Sequence, residues 1–225
     1  GLVGSEMCIR DRTISDSSIK GIILVEICDK VVCDALSQFN LPIVSVDMPN
    51  VPFEELNGID VVTMESKKNL KKIINQLIEK GAESFGFVGD LYSPNVSRGF
   101  QERYNALSEC LAEHQLPLNQ KNCLLHQTPE DFRNFQTTVN NLQAMISLPD
   151  VFICGNDWTA IQLIYALQFL GFQIPKDICV VGFDNIPAAS RISPSLTTIS
   201  TPQKYLGIAA ARQILERIQH PNCPH

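Results

Sequence analysis

Val151-Phe152-Ile153-Cys154-Gly155-Asn156-Asp157 and, one helix later, Cys179-Val180-Val181-Gly182-Phe183-Asp184-Asn185 each pass from a short apolar run straight into polar residues. An apolar run of this length, ended by turn-forming residues, fits a strand covered on both faces, as in a parallel sheet. Between the two runs, Thr159 to Leu170 reads as a helix closed by Gly171. Strand, helix and strand in that order make a βαβ unit. In such sheets ligands lie beyond the carboxyl ends of the strands, so the polar residues just after each run are the first places to look for a site.

The same alternation extends in both directions. Gly21 to Val25, Ile43 to Val46, Val61 to Met64 and Phe85 to Val88 read as further strands. Helices are expected over Val31 to Phe39, over Ser66 to Lys80, from the loop after Gly89 through Leu107 and Leu111 to about His114, over Pro129 to Ile146, and from Tyr205 to Gln219. Leu70, Ile73, Ile74, Leu77 and Ile78 share one face of the second helix, and Gly81 stands where a helix terminates. The pattern predicts an α/β protein with doubly wound parallel sheets. A boundary near Gly81 and a return near Thr198 divide it into residues 13–81 with 198–220 and residues 82–197. Residues 1–12 (GLVGSEMCIRDR) show neither strand nor helix periodicity and read as an artefactual or unstructured head.

Composition excludes several classes. With 225 residues, 44% of them hydrophobic, the chain can bury a core. A net charge of −6 has the wrong sign for gripping a phosphate backbone. Eight scattered cysteines contain no CxxC pair, and Cys154 and Cys179 interrupt apolar runs, so reduced core thiols are expected. The four histidines lie at no metal-ligand spacing. No apolar run is long enough to span a bilayer. GxGxxG after a strand, the phosphate-binding P-loop, the GxSxG elbow and HExxH are all missing, so neither a cofactor nor catalytic machinery is expected.

The candidate residues therefore sit at strand ends. Asn156 and Asp184 offer an amide and a carboxylate on neighbouring strand ends, a combination that donates to and accepts from a polyhydroxylated ligand. Their alternative is an Asx turn. Asp157 is placed as the N-cap of the helix from Thr159. Trp158, the single tryptophan, can stack on a sugar ring or pack as core.

The blocks Cys154-Gly155-Asn156-Asp157, Gly171-Phe172-Gln173-Ile174-Pro175-Lys176-Asp177, Val180-Val181-Gly182-Phe183-Asp184-Asn185 and Pro194-Ser195-Leu196-Thr197-Thr198-Ile199 resemble, in order and spacing, the lactose- and purine-repressor (LacI-type) family of transcription regulators. The likeness runs from Gly21 to about Gln219. It implies a two-lobed, periplasmic-binding-protein-like effector domain, in which Asn156 and Asp184 fall where sugar-binding members hold ligand hydroxyls. The family's ligand arginine matches Arg103 in Glu102-Arg103-Tyr104-Asn105-Ala106-Leu107, although Ala106-Leu107 replaces a glycine-aromatic pair, and Arg98 competes for the role.

What the resemblance implies is a cytoplasmic, non-enzymatic sensor. A small effector of sugar-like chemistry shifts its conformational population, and it acts as a homodimer that reaches DNA only through a headpiece outside this chain. A solute-binding protein of a sugar transporter is the alternative, and a nucleotide-binding enzyme a third. The resemblance also implies absent elements: the headpiece, a hinge helix, a first βαβα unit and a closing strand. That leaves the run Ile22 to Val25 at a sheet edge, where unpaired backbone groups favour association, and predicts a marginal or aggregation-prone chain.

Overall fold

A computed structural model describes residues 18–93, 95–126 and 134–221. Its strands are β1 (Ile22–Val25), β2 (Ile43–Val46), β3 (Ile59–Val62), β4 (Phe85–Val88), β5 (Val151–Cys154), β6 (Cys179–Asp184) and β7 (Thr197–Ser200). The helices of more than one turn are α1 (Lys30–Ser37), α2 (Lys67–Glu79), α3 (Arg98–Glu113), α4 (Phe135–Gln143), α5 (Asp157–Phe169) and α6 (Gln203–Gln219). The chain divides into two compact units, one of residues 1–63 with 204–225 and one of residues 64–203.

The first unit is a parallel three-stranded sheet in the order β1-β2-β3. On one face Leu24, Ile43 and Ile59 pack with Cys33 and Leu36 of α1. On the other, Val44 packs with Ala210 and Ile214 of α6. α1 starts at Asp29, whose carboxylate caps the Val31 and Val32 amides. Among the described residues β1 lies at the sheet edge, as expected for the run Ile22 to Val25, and Ile23 and Val25 on it are 43% and 61% exposed.

β3 begins two residues earlier than the expected Val61 to Met64. Ile43 of β2 pairs with Ile59 and Val44 with Asp60, so a charged residue lies inside the strand. Its carboxylate is taken up by α6: Arg217 Nε and Nη2 donate to Asp60 at 2.5 and 2.6 Å, and Gln213 Nε2 donates at 2.8 Å.

The second unit holds a four-stranded parallel sheet, β4-β5-β6-β7. Alternate side chains supply its two cores. Phe85, Phe87, Val151, Ile153, Val181 and Phe183 pack with α2 and α3, while Val88, Phe152, Cys154 and Val180 pack with α4 and α5. Outside β4, Leu124 N donates to Phe87 O at 2.8 Å and Gly89 N to Leu124 O at 2.9 Å, so residues 124–125 run alongside as a short extra strand. The chain thus steps to one side of β4 and then to the other. Strand order reverses between β4 and β5, which makes the crevice beyond their carboxyl ends the topological switch point.

Three further expectations change. The division between units falls at residues 63/64 and 203/204 rather than near Gly81 and Thr198, because α2 buries Leu70 and Ile74 among Phe85, Leu107 and Leu111, and because β7 pairs with β6. Of the helix expected over Pro129 to Ile146, residues 129–133 lie outside the described residues. α4 also stops at Gln143, with Ile146 exposed shortly before Pro149. Thr197–Ser200, read only as a sequence block, is the strand β7. Gly81 and Gly171 do terminate α2 and α5, with φ of 98° and 92°. In both cases the next residue's amide reaches back into the helix, Ala82 to Leu77 and Phe172 to Leu167.

Candidate functional site

The carboxyl ends of β4, β5 and β6 all belong to the second unit, and α3 delivers a cation to them. Ser97 caps α3 by accepting from Gly99 N at 2.9 Å. Ala106, Leu107, Cys110 and Leu111 are its buried residues, and Arg103, one turn before the first of them, continues the same stripe toward the strand ends. Arg103 Nη1 donates to the Gly155 carbonyl at 2.5 Å. Its guanidinium carbon lies 3.7 Å from the centre of the Phe183 ring and 5.8 Å from that of Phe100. A delocalised, weakly hydrated cation suits such an aromatic bed better than an ammonium would. The competing Arg98 instead pairs with Glu102 on the helix surface at 3.1 Å.

The chain leaves β5 through Gly155. A Cβ there would overlap Phe100, and one on Gly89 would approach the same ring to 2.9 Å, so the two glycines let Phe100 lie across the switch-point crevice. Asn156 is extended and caps α5, its Oδ1 accepting from Thr159 N at 2.9 Å, which leaves its amide nitrogen as a donor group. Trp158 follows on the first turn of α5 and is 62% exposed, which rules out core packing.

The cap expected at Asp157 is thus made by Asn156, and Asp157 turns inward. It is fully buried, accepting from Thr198 Oγ1 at 2.5 Å and from Ile186 N at 2.8 Å. At the end of β6, Asp184 and Asn185 both hold positive φ, 110° and 56°, and Asp184 Oδ1 accepts from Thr201 Oγ1 at 3.0 Å.

Arg103 is therefore in contact with Gly155, which precedes Asn156, and with Phe183, which precedes Asp184. Arg103 thus lies beside the strand ends that carry Asn156 and Asp184, with Trp158 two residues beyond Asn156. The sequence reading missed Phe100 and Phe183 beneath the guanidinium, and Asp157 and Thr198 behind the β6 turn. Glycines directly after two neighbouring strands, Gly89 and Gly155, were the available signal for Phe100.

The arrangement supplies donors (guanidinium and amide), an acceptor carboxylate and exposed aromatic surface, which suits hydroxyl groups on a compact ring. The Cys154 thiol at the end of β5 is pushed up by burial and by the Asp157 carboxylate, so it stays protonated. Among the described residues, no group of three His, Cys, Asp or Glu side chains could hold a metal ion, and no helix is long and apolar enough to cross a membrane. Cys33, Cys110 and Cys154 are buried as small apolar groups.

Residues 74–225 match the family model described as a periplasmic binding protein-like domain. The chain belongs to that family. Among curated relatives, the ribose operon repressor of Haemophilus influenzae is 28% identical over 214 residues, covering 94% of this chain and 61% of its own length. Catabolite control protein A of Staphylococcus xylosus is 31% identical over 179 residues, covering 75% of this chain and 51% of its own. The chain thus spans less than two thirds of these relatives. Among solved structures, a LacI family regulator from Enterococcus faecium with bound ribose superposes with a TM-score of 0.73 at 24% identity, covering 92% of this chain and 74% of that one. A regulator from Bacillus cereus reaches 0.76 at 21%, covering 90% and 69%. At these identities the likeness carries the fold, which is the periplasmic-binding-protein-like one.

Proposed function

We propose that this chain is the effector-sensing and dimerisation part of a LacI-type transcription regulator, and that it binds a small sugar-like molecule at the carboxyl ends of β4, β5 and β6. Arg103, Asn156 and Asp184 are its polar contacts and Trp158 its aromatic one. The reading rests on one observation: Arg103 of α3 bridges the ends of β5 and β6, where Asn156 and Asp184 stand. The relative from Haemophilus influenzae described above is an operon repressor. That favours a regulator over a transporter's solute-binding protein. The domain is non-enzymatic and cytoplasmic, needs no cofactor, and meets DNA only through a headpiece outside this sequence, consistent with its charge of −6.

The homodimer is supported by α5. Tyr165 and Phe169 on its surface are 42% and 67% exposed, and Phe135 of α4 meets Phe169 edge to face at 5.5 Å. Exposed aromatic surface of this kind marks association sites. In sedimentation, a Tyr165→Asp, Phe169→Asp variant shifts to monomer, and an unchanged dimer would remove this face from the reading.

The site itself is tested by titration calorimetry with D-ribose, sucrose and free purine bases. Asn156→Ala and Asp184→Ala each weaken the sugar that binds by about tenfold or more, the usual cost of deleting a buried polar partner. Binding untouched by both substitutions would refute the placement. Heat with none of the sugars would refute the ligand class.

A further inference from the structure

Asp157 makes no part of the contacts proposed for the ligand, yet its carboxylate is enclosed inside the second unit. It is fully buried on the first turn of α5. One oxygen accepts from Thr198 Oγ1 of β7 at 2.5 Å and the other from the Ile186 backbone at 2.8 Å. Thr198 Oγ1 in turn accepts from Asn185 N at 3.2 Å. Room for Asp157 exists because residue 182 of β6 is glycine, where a Cβ would overlap Asp157 Oδ1.

These bonds end on one short stretch. Asp184 and Asn185 run consecutively at φ of 110° and 56°, and the first of these values lies well outside the narrow left-handed well open to L-residues. Such a conformation persists only where the surroundings impose it. Here the residues on its carboxyl side, Asn185 and Ile186, have their amides held, directly or through Thr198, by one buried carboxylate.

We propose that Asp157 is a positioning residue: it clamps the turn after β6 so that Asp184 is presented at the candidate ligand site. The clamp joins the strand end that carries Asn156 to the one that carries Asp184, because Asp157 directly follows Asn156 in the chain. It therefore fixes the spacing of the two polar contacts. The ligand half of this inference rests on the function proposed above, whereas the clamp itself does not.

Amide hydrogen exchange on the whole chain, without ligand, tests the clamp. In Asp157→Asn, protection at Asn185 and Ile186 falls about tenfold or more, while the Gly155 amide, which donates to Val88 O, is unchanged. Thr198→Val, which keeps the shape of the side chain, exposes the Asn185 amide, and Thr198→Ser restores it. The threonine pair carries the test if Asp157→Asn fails to fold. Calorimetry with D-ribose tests the positioning. Asp157→Asn weakens binding about tenfold, and adding Asp184→Ala in that background costs little more, because the two act through one group.

Retained protection at Asn185 and Ile186 overturns the proposal, as does lost protection with full affinity for ribose. If the unsubstituted protein binds neither ribose nor sucrose, the sugar reading fails on its own terms, and the exchange result still decides whether the clamp exists.

Discussion

Replacing Arg217 by methionine isolates a single buried charge. The Arg217 and Asp60 side chains are only 7% and 9% exposed, and the contact is bidentate, with Gln213 as a third donor. Removing the guanidinium takes the charged partner away from a carboxylate held inside the sheet, which costs about 3–5 kcal/mol. Against a total stability of about 5–15 kcal/mol, that is enough to melt the first unit early. Asp60→Leu combined with Arg217→Met removes both charges and is close to neutral, since well-packed apolar side chains replace such pairs with little loss. Urea unfolding reads both effects. The single tryptophan, Trp158, reports the second unit by fluorescence, while far-ultraviolet dichroism reports both. In Arg217→Met a first dichroism transition moves down by roughly 2 M urea with the fluorescence midpoint in place. A shift equivalent to less than about 1 kcal/mol, or a double variant as damaged as the single, would falsify the assignment of this pair as the tie between α6 and β3.

Three other perturbations follow from local geometry. Gly155→Ala drives a Cβ into the Phe100 ring and costs about 1–3 kcal/mol by fluorescence-detected unfolding, and Phe100→Leu relieves it; indifference to the alanine shows that Phe100 does not lie there. At Asp150 burial raises the carboxyl, but the Ser84 side chain and the Glu83 and Ser84 amides outweigh it and hold the group below its ordinary value. A depressed folded value means this stabilisation is complete above about pH 4 and is lost as pH falls through that value, so Asp150→Asn flattens the acid limb of the stability curve, and an unchanged limb contradicts the assignment. Cys154, pushed up by burial and by Asp157, resists iodoacetamide in the native protein and reacts after unfolding; mass spectrometry finding it labelled natively contradicts its burial.

The central strands were legible because burial on both faces leaves an unbroken apolar run, as in Val151–Cys154. β3 and β7 were not read correctly for a physical reason. β3 contains Asp60, which is tolerable only because α6 supplies Arg217 from 157 residues away. β7 is a sheet edge with half its residues exposed, so its sequence, Thr197-Thr198-Ile199-Ser200, carries little apolar signal. At the site, the resemblance pointed to Arg103, Asn156 and Asp184, and Arg103 touches Gly155 and Phe183, the residues that precede the other two. Asp157 was misread because an aspartate at the start of a helix ordinarily caps it. Only the inward turn toward Thr198 and Ile186 distinguishes the two roles, and that depends on a glycine 25 residues later in another strand.

The order of the two units along the chain shapes how the protein is made. The second unit is one unbroken stretch, residues 64–203, whereas the first is split around it. On the ribosome, β1, β2 and β3 emerge with α1 able to cover one side, but the other waits for α6, and the Asp60 carboxylate waits with it. At ordinary translation speeds that interval is roughly ten to thirty seconds. A nascent sheet with a bare apolar side and an unanswered charge must survive it, so the first unit is where chaperone dependence and losses in recombinant expression will concentrate.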